Sequence, residues 1–182
     1  DDDSEKLAQE YQLIDNRIKT IRNQGNGIID ALNTGAKIAE GNFITRMDSD
    51  DLMRKDKLEL MHNKLISTGT GYLCVGGVSY FASQKKLENG YIKYSKWLNK
   101  LTYKGENYLE IFKECTIPSS CWMIHYEDFV KINQFNDLEY PEDYDFAFRL
   151  WINDLIVVPV KEKIHLWRDH DLRTSRISET YN

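Results

Sequence analysis

Apolar residues fall into two rhythms along the chain. Ile29, Leu32, Ala36 and Ala39 recur at spacings of three and four, as do Leu58, Met61 and Leu65, the period of a helix with one buried face. Residues 43–47 (FITRM) and 71–81 (GYLCVGGVSYF) are instead dense in apolar and β-branched side chains and read as strands. Residues 16–24, centred on Ile18 and Ile21, read as a further short strand, and Ser4 as the cap of a helix through Tyr11 and Ile14. The first half thus alternates helix and strand, which predicts an α/β sheet, mostly parallel, with helices packed on it. Gly41 is expected to cap the second helix, Gly35 inside it to mark a close backbone approach, and Gly76–Gly77 to form a bulge or a second close approach.

The second half is less regular. SKWLNKLT and GENYLEIFKEC read as short helices, residues 118–132 as a strand and a short helix, and LIVVPV (155–160) as a strand. Pro141 suits a first helical position, with Glu142 and Asp143 in the first turn beside the positive end of the dipole. Asp143, Ala147 and Leu150 share one face, so Asp143 begins a stripe that turns inward.

The chain has 182 residues, 41% hydrophobic and 29% charged, enough for one sizeable core and short for two. A net charge of −5 argues against nucleic-acid binding through a broad basic face. No apolar run reaches the roughly 20 residues that span a bilayer, and no basic amphipathic helix marks a membrane contact. Cys74, Cys115 and Cys121 are odd in number and fit no zinc spacing, so they read as buried small hydrophobes in a reducing cytoplasm.

Chemistry concentrates where the strand at 43–47 ends in Asp48-Ser49-Asp50-Asp51. Three carboxylates in four positions repel one another, and a divalent cation or a solvated turn would relieve that. A calcium loop starting at Asp48 fails, because Leu52 stands at a ligand position and Met53 where glycine is needed. An aspartyl-phosphate phosphohydrolase would use Asp48 as its nucleophile and stays open as an alternative. In α/β sheets ligands bind beyond the carboxyl ends of strands, and these carboxylates stand at such an end.

Four stretches together carry a resemblance: DDDS at the start, NQGNGIIDALNTGAKIAEGNFITRMDSDDLMRKDKLELM from residue 23, YPEDYDFAFRL from 140, and WRDHDLRTS from 167. The chain resembles the family 2 glycosyltransferases, inverting enzymes of the nucleotide-sugar-binding GT-A fold. The resemblance implies one domain over 1–182, with a nucleotide-binding half (1–81) and an acceptor half with a C-terminal tail (82–182). It also implies a first strand and helix ahead of Asp1, expected here to have been trimmed. It further implies a UDP-sugar donor, a glycan or lipid-linked acceptor, and a manganese or magnesium ion. Asp50 would be the direct metal ligand, assisted by Asp48 through ribose or metal and supported by Asp51. Asp1 and Asp2 would contact the uridine. Asp143 would be the general base with Glu142 its partner, and Arg168 and His170 would approach the diphosphate or metal. Polysaccharide biosynthesis in the cytoplasm, with peripheral contact at the inner membrane face for a lipid acceptor, follows from the same likeness. A catalytically inactive module of this fold that binds nucleotide or glycan is the rival reading. Trp122, Tyr140 and Trp167 are candidates to stack on a sugar or to pack in the core.

Overall fold

A computed structural model describes residues 3–82, 87–136 and 141–171. Contacts divide the chain into two compact units, Asp1–Glu40 and Gly41–Asn182.

The first unit holds helices α1 (Ser4–Ile14) and α2 (Gly27–Lys37). Ala36 is its one buried residue among those described, so polar bonds carry much of its order. Arg22 pairs with Glu5 at 2.6 Å, Lys19 pairs with Glu40, and the Gln12 side-chain oxygen accepts from the Thr20 amide at 3.0 Å. The strand expected over 16–24 does not form. Its residues are occupied locally instead: Asp15 holds Arg17, and Asn23 accepts from the Gly25 amide. Helix α2 stops at Lys37, short of Gly41. A Cβ on Gly35 would meet nothing within 4 Å, so no close approach explains that glycine.

The second unit is a five-stranded sheet flanked by helices. Its elements are β1 (Phe43–Thr45), β2 (Leu52–Met53), α3 (Lys57–Ile66), β3 (Tyr72–Ala82), α4 (Asn89–Lys104), β4 (Trp122–His125), α5 (Tyr126–Lys131), α6 (Glu142–Ile152) and β5 (Ile156–Asp169). The strand order is β1-β4-β3-β5-β2. The α/β class is as expected, but the sheet is mixed: β3 and β5 run parallel, and the other three pairs are antiparallel. The difference lies in β2 and β4, short strands that pair antiparallel, β2 with β5 and β4 with both β1 and β3.

Strands β3 and β5 form the spine. Their register slips on both sides of Gly77, at the expected bulge. A Cβ on Gly76 would lie 2.3 Å from Ile164 Cδ1, and one on Gly77 2.4 Å from the Tyr103 hydroxyl. The two glycines therefore let β5 and α4 close onto β3. Met61 and Leu65 of α3 pack with Cys74, Met123, Val160 and Ile164, while Leu58 is left on the outside. Helix α4 buries Leu98, Asn99 and Thr102 and carries four lysines and no carboxylate.

Helix α6 is anchored by aromatic packing. Phe146 meets Trp122 at 4.7 Å and Phe135 at 5.1 Å between ring centroids, so Trp122 is a core residue. Arg149 donates to the carbonyls of Ile132 and Gln134 at 2.5 and 2.6 Å. Pro141 is the cap residue rather than the first helical one, and α6 thereby presents Glu142 and Asp143 at a fixed place. Among the described residues no helix is long and apolar enough to cross a membrane.

The bulge yields a stability test. Gly76→Ala is expected to cost about 1–3 kcal/mol through overpacking against Ile164, read as a lower urea midpoint. Combined with Ile164→Ala it should destabilise by less than the sum of the single changes, with a coupling of at least about 0.5 kcal/mol.

Candidate active site

β1 ends at Thr45, and the chain then turns through Asp48–Asp51, with the Asp51 amide donating to the Asp48 carbonyl at 3.3 Å. Each of the three carboxylates finds a different environment. Asp51 is buried: one oxygen lies 2.9 Å from His165 Nε2 and the other accepts from the Arg168 amide at 2.8 Å. It fastens the turn to β5. Asp50 is a third exposed, its Oδ2 2.8 Å from His170 Nε2, and its carbonyl accepts from Arg168 Nε at 2.6 Å. Asp48 accepts from Arg46 Nε at 2.8 Å.

Arg46 is one residue that the sequence reading did not single out. Its Nη1 also donates to Glu142 Oε1 at 2.8 Å, across 96 positions of chain. Both Arg46 and Glu142 are nearly buried, with side-chain exposures of 8% and 4%. Burial opposes the guanidinium charge, yet Asp48 and Glu142 outweigh it and hold the Arg46 pKa above its ordinary value. One buried cation thus joins the strand-end carboxylates to the Glu142-Asp143 pair.

Asp143 accepts from the Ser119 hydroxyl at 3.2 Å. Helix N-terminus and burial compete over this carboxyl, and burial wins: desolvation first and the Glu142 charge second raise its pKa, against Arg46, Ser119 and the Tyr144 amide. Asp143 and Asp48 line one cavity of about 240 Å³, together with Ser119, Tyr80, Tyr94 and Trp167. Trp167 lies 4.9 Å from Tyr80, so it both packs and forms cavity wall.

Lys57 and His165 were also missed. Lys57 is 1% exposed, and its Nζ donates to the Ser120 carbonyl at 2.6 Å. Burial lowers its pKa against the charges of Asp48 and Asp51. Its spacing of four from Met61 and eight from Leu65 places it on the buried stripe of α3, a signal available in the sequence. Arg46 carried a fainter one, a charge inside an apolar strand. Burial pushes the thiols of Cys74 and Cys121 up to about 12, which removes them as nucleophiles.

Among the expected metal ligands, Asp50 and His170 meet, whereas Asp48 is turned to Arg46. Among the described residues no three acidic, His or Cys side chains converge as a metal group. The Asp50 carboxylate suits a magnesium or manganese ion, which would take further ligands from phosphates and water, and the His170 imidazole favours the softer manganese over magnesium. Arg168 stands at the end of β5, its guanidinium 5.1 Å from the Phe81 ring centroid. Asp1, Asp2 and Tyr140 lie outside the described residues.

Residues 1–132 match the family model for glycosyl transferase family 2. EpsH of Bacillus subtilis, which carries a glycosyltransferase assignment, is 25% identical over 178 residues, covering 93% of this chain and 49% of EpsH. TuaG of the same organism, assigned to teichuronic acid biosynthesis as a glycosyltransferase, is 34% identical over 77 residues, 39% of this chain and 31% of TuaG. The fold is similar to the crystal structure of Staphylococcus aureus TarS 1-349, with a TM-score of 0.62 at 14% identity, over 92% of this chain and 48% of that one. The chain therefore spans about half the length of EpsH and of that structure.

The raised Asp143 pKa makes a signed prediction. The native state binds this proton more tightly than the unfolded chain, so ionised Asp143 lowers stability above its native pKa and costs nothing below the unfolded one. Asp143→Asn, which keeps an acceptor for Ser119, is expected to raise Tm at pH 7. The gain should be about 2–4 °C per kcal/mol recovered and should vanish as the pH falls through the ordinary carboxylate range.

Proposed function

The chain belongs to glycosyl transferase family 2, and on that premise we propose that it is an inverting, metal-dependent glycosyltransferase using a UDP-sugar. One observation carries the reading: Asp48 and Asp143, from motifs far apart in sequence, line a single cavity. The acceptor is a glycan or lipid-linked saccharide of polysaccharide biosynthesis, in keeping with the teichuronic acid assignment of TuaG.

In the proposed reaction an acceptor hydroxyl oxygen bonds to the sugar C1 as the bond from C1 to the diphosphate oxygen breaks. The nucleoside diphosphate leaves with the bonding pair, and the hydroxyl proton passes to Asp143. A raised pKa makes Asp143 a better proton acceptor than a solvated aspartate. Ser119 orients the carboxylate, and the charge of Glu142, paired with Arg46, raises its basicity. Single displacement from the face opposite the leaving group inverts C1. A divalent cation held by Asp50 and His170, with Asp48 beside it, would supply charge neutralisation for the departing diphosphate. Asp51 and His165 hold that turn in place, and Arg168 braces it through the Asp50 carbonyl.

Calorimetric titration of UDP into the folded chain tests this. Binding should require manganese and weaken at least about tenfold, roughly 1.4 kcal/mol, in Asp50→Asn. Absence of UDP binding to the folded protein with manganese present would overturn the donor assignment. Release of inorganic phosphate from a phospho-aspartate would favour the phosphohydrolase alternative instead.

A further inference from the structure

Helix α4 contains Lys93, Lys96, Lys100 and Lys104 and no acidic residue, in a chain of net charge −5. Lys96, Lys100 and Lys104 follow one another at spacings of four, which aligns them on one side of the helix over about 12 Å. They border a groove of about 640 Å³ that Lys163 of β5 closes and to which Tyr80 and Tyr103 contribute aromatic wall. All four lysines are exposed. The acidic side chains nearby are Glu88, the cap residue ahead of α4, Glu106, 3.3 Å from Lys104 at the C-terminal end of α4, and Glu162, which precedes Lys163 and acts on Tyr103. Among the described residues, Lys96, Lys100 and Lys163 take part in no ion pair.

Tyr80 lines both this groove and the cavity that holds Asp48 and Asp143. A molecule lying along α4 would therefore lead past Tyr80 towards Asp143. Like charges kept in a row repel one another, and an anionic occupant relieves that repulsion. A line of charge about 12 Å long matches an extended ligand with repeated charges better than one phosphate. Tyr80 is packed against Tyr91 and Trp167, so an aromatic cluster forms the wall between groove and cavity.

Resting on the glycosyltransferase reading, we propose that the α4 groove binds the acceptor as a glycan chain carrying negative charge on successive units. The groove holds the part already built, and the chain end enters the Asp143 cavity.

The test uses hexagalacturonate as the anionic probe and maltohexaose as the neutral one, with binding to the full chain followed by tryptophan fluorescence. Hexagalacturonate should bind, weaken as NaCl is raised, and lose at least about tenfold, roughly 1.4 kcal/mol, in the triple variant Lys96→Gln, Lys100→Gln, Lys163→Gln. A control triple of exposed lysines elsewhere, Lys37→Gln, Lys64→Gln, Lys131→Gln, has the same change in net charge and should retain binding. UDP titration should be unchanged in both triples. Equal loss in the two triples, equal binding of maltohexaose, or no binding of hexagalacturonate would overturn the proposal. So would loss of binding to phosphatidylglycerol vesicles in the groove triple with hexagalacturonate binding intact, which would assign the lysines to a membrane. If UDP fails to bind any variant, the donor assignment falls and the groove is judged on hexagalacturonate alone.

Discussion

Arg46 is the constraint on which the site depends. Its guanidinium lies between Asp48 and Glu142, each at 2.8 Å, in a place almost closed to water. Burying a charge is costly, and the cost is recovered only when geometry and hydrogen bonds are good. Here one cation serves two carboxylates and lies close enough to a third, Asp143, to oppose the rise in its pKa. Without Arg46, the charge of Glu142 would act on Asp143 with less to oppose it. Arg is suited to the task because its planar fork presents separate donors to separate acceptors.

The rest of the second unit delivers the partners to that point. β1 carries Arg46 to the strand end, and the aromatic packing of Trp122, Phe135 and Phe146 fixes α6 so that Glu142 arrives opposite it. The slip of register at Gly77 sets the frame in which His165 reaches Asp51 and Arg168 reaches the Asp50 carbonyl. Asp143 is then kept partly out of water, where ionisation costs stability. A carboxylate held this way trades folding free energy for basicity.

Much of this was legible in the sequence because local patterns carry it. The carboxylates at a strand end, the Glu-Asp pair in a first helical turn and the glycine pair in β3 each announce themselves within a few residues. The failures are non-local or rest on weak local cues. Residues 16–24 place Ile18 and Ile21 near the centre of a short stretch, which reads as a strand, but their polar side chains bond within the first unit and pair with no strand among the described residues. Antiparallel returns by two- and four-residue strands leave no periodicity to read. Arg46 resembles an interruption of an apolar run until Glu142, 96 positions away, is placed beside it. Lys57 was readable, since its spacing put a cation on a buried stripe.

The most direct measurement is a double-mutant cycle between Arg46→Met and Glu142→Gln, read by urea unfolding at pH 7. Arg46→Met alone should cost about 3–5 kcal/mol, because it takes the guanidinium away from buried Glu142 and from Asp48. Removing the Glu142 charge as well should restore part of that loss, with a coupling of about 1–3 kcal/mol. Additivity within about 0.5 kcal/mol would mean that Arg46 does not join the two acidic motifs, and the account of a single site built around it would fail.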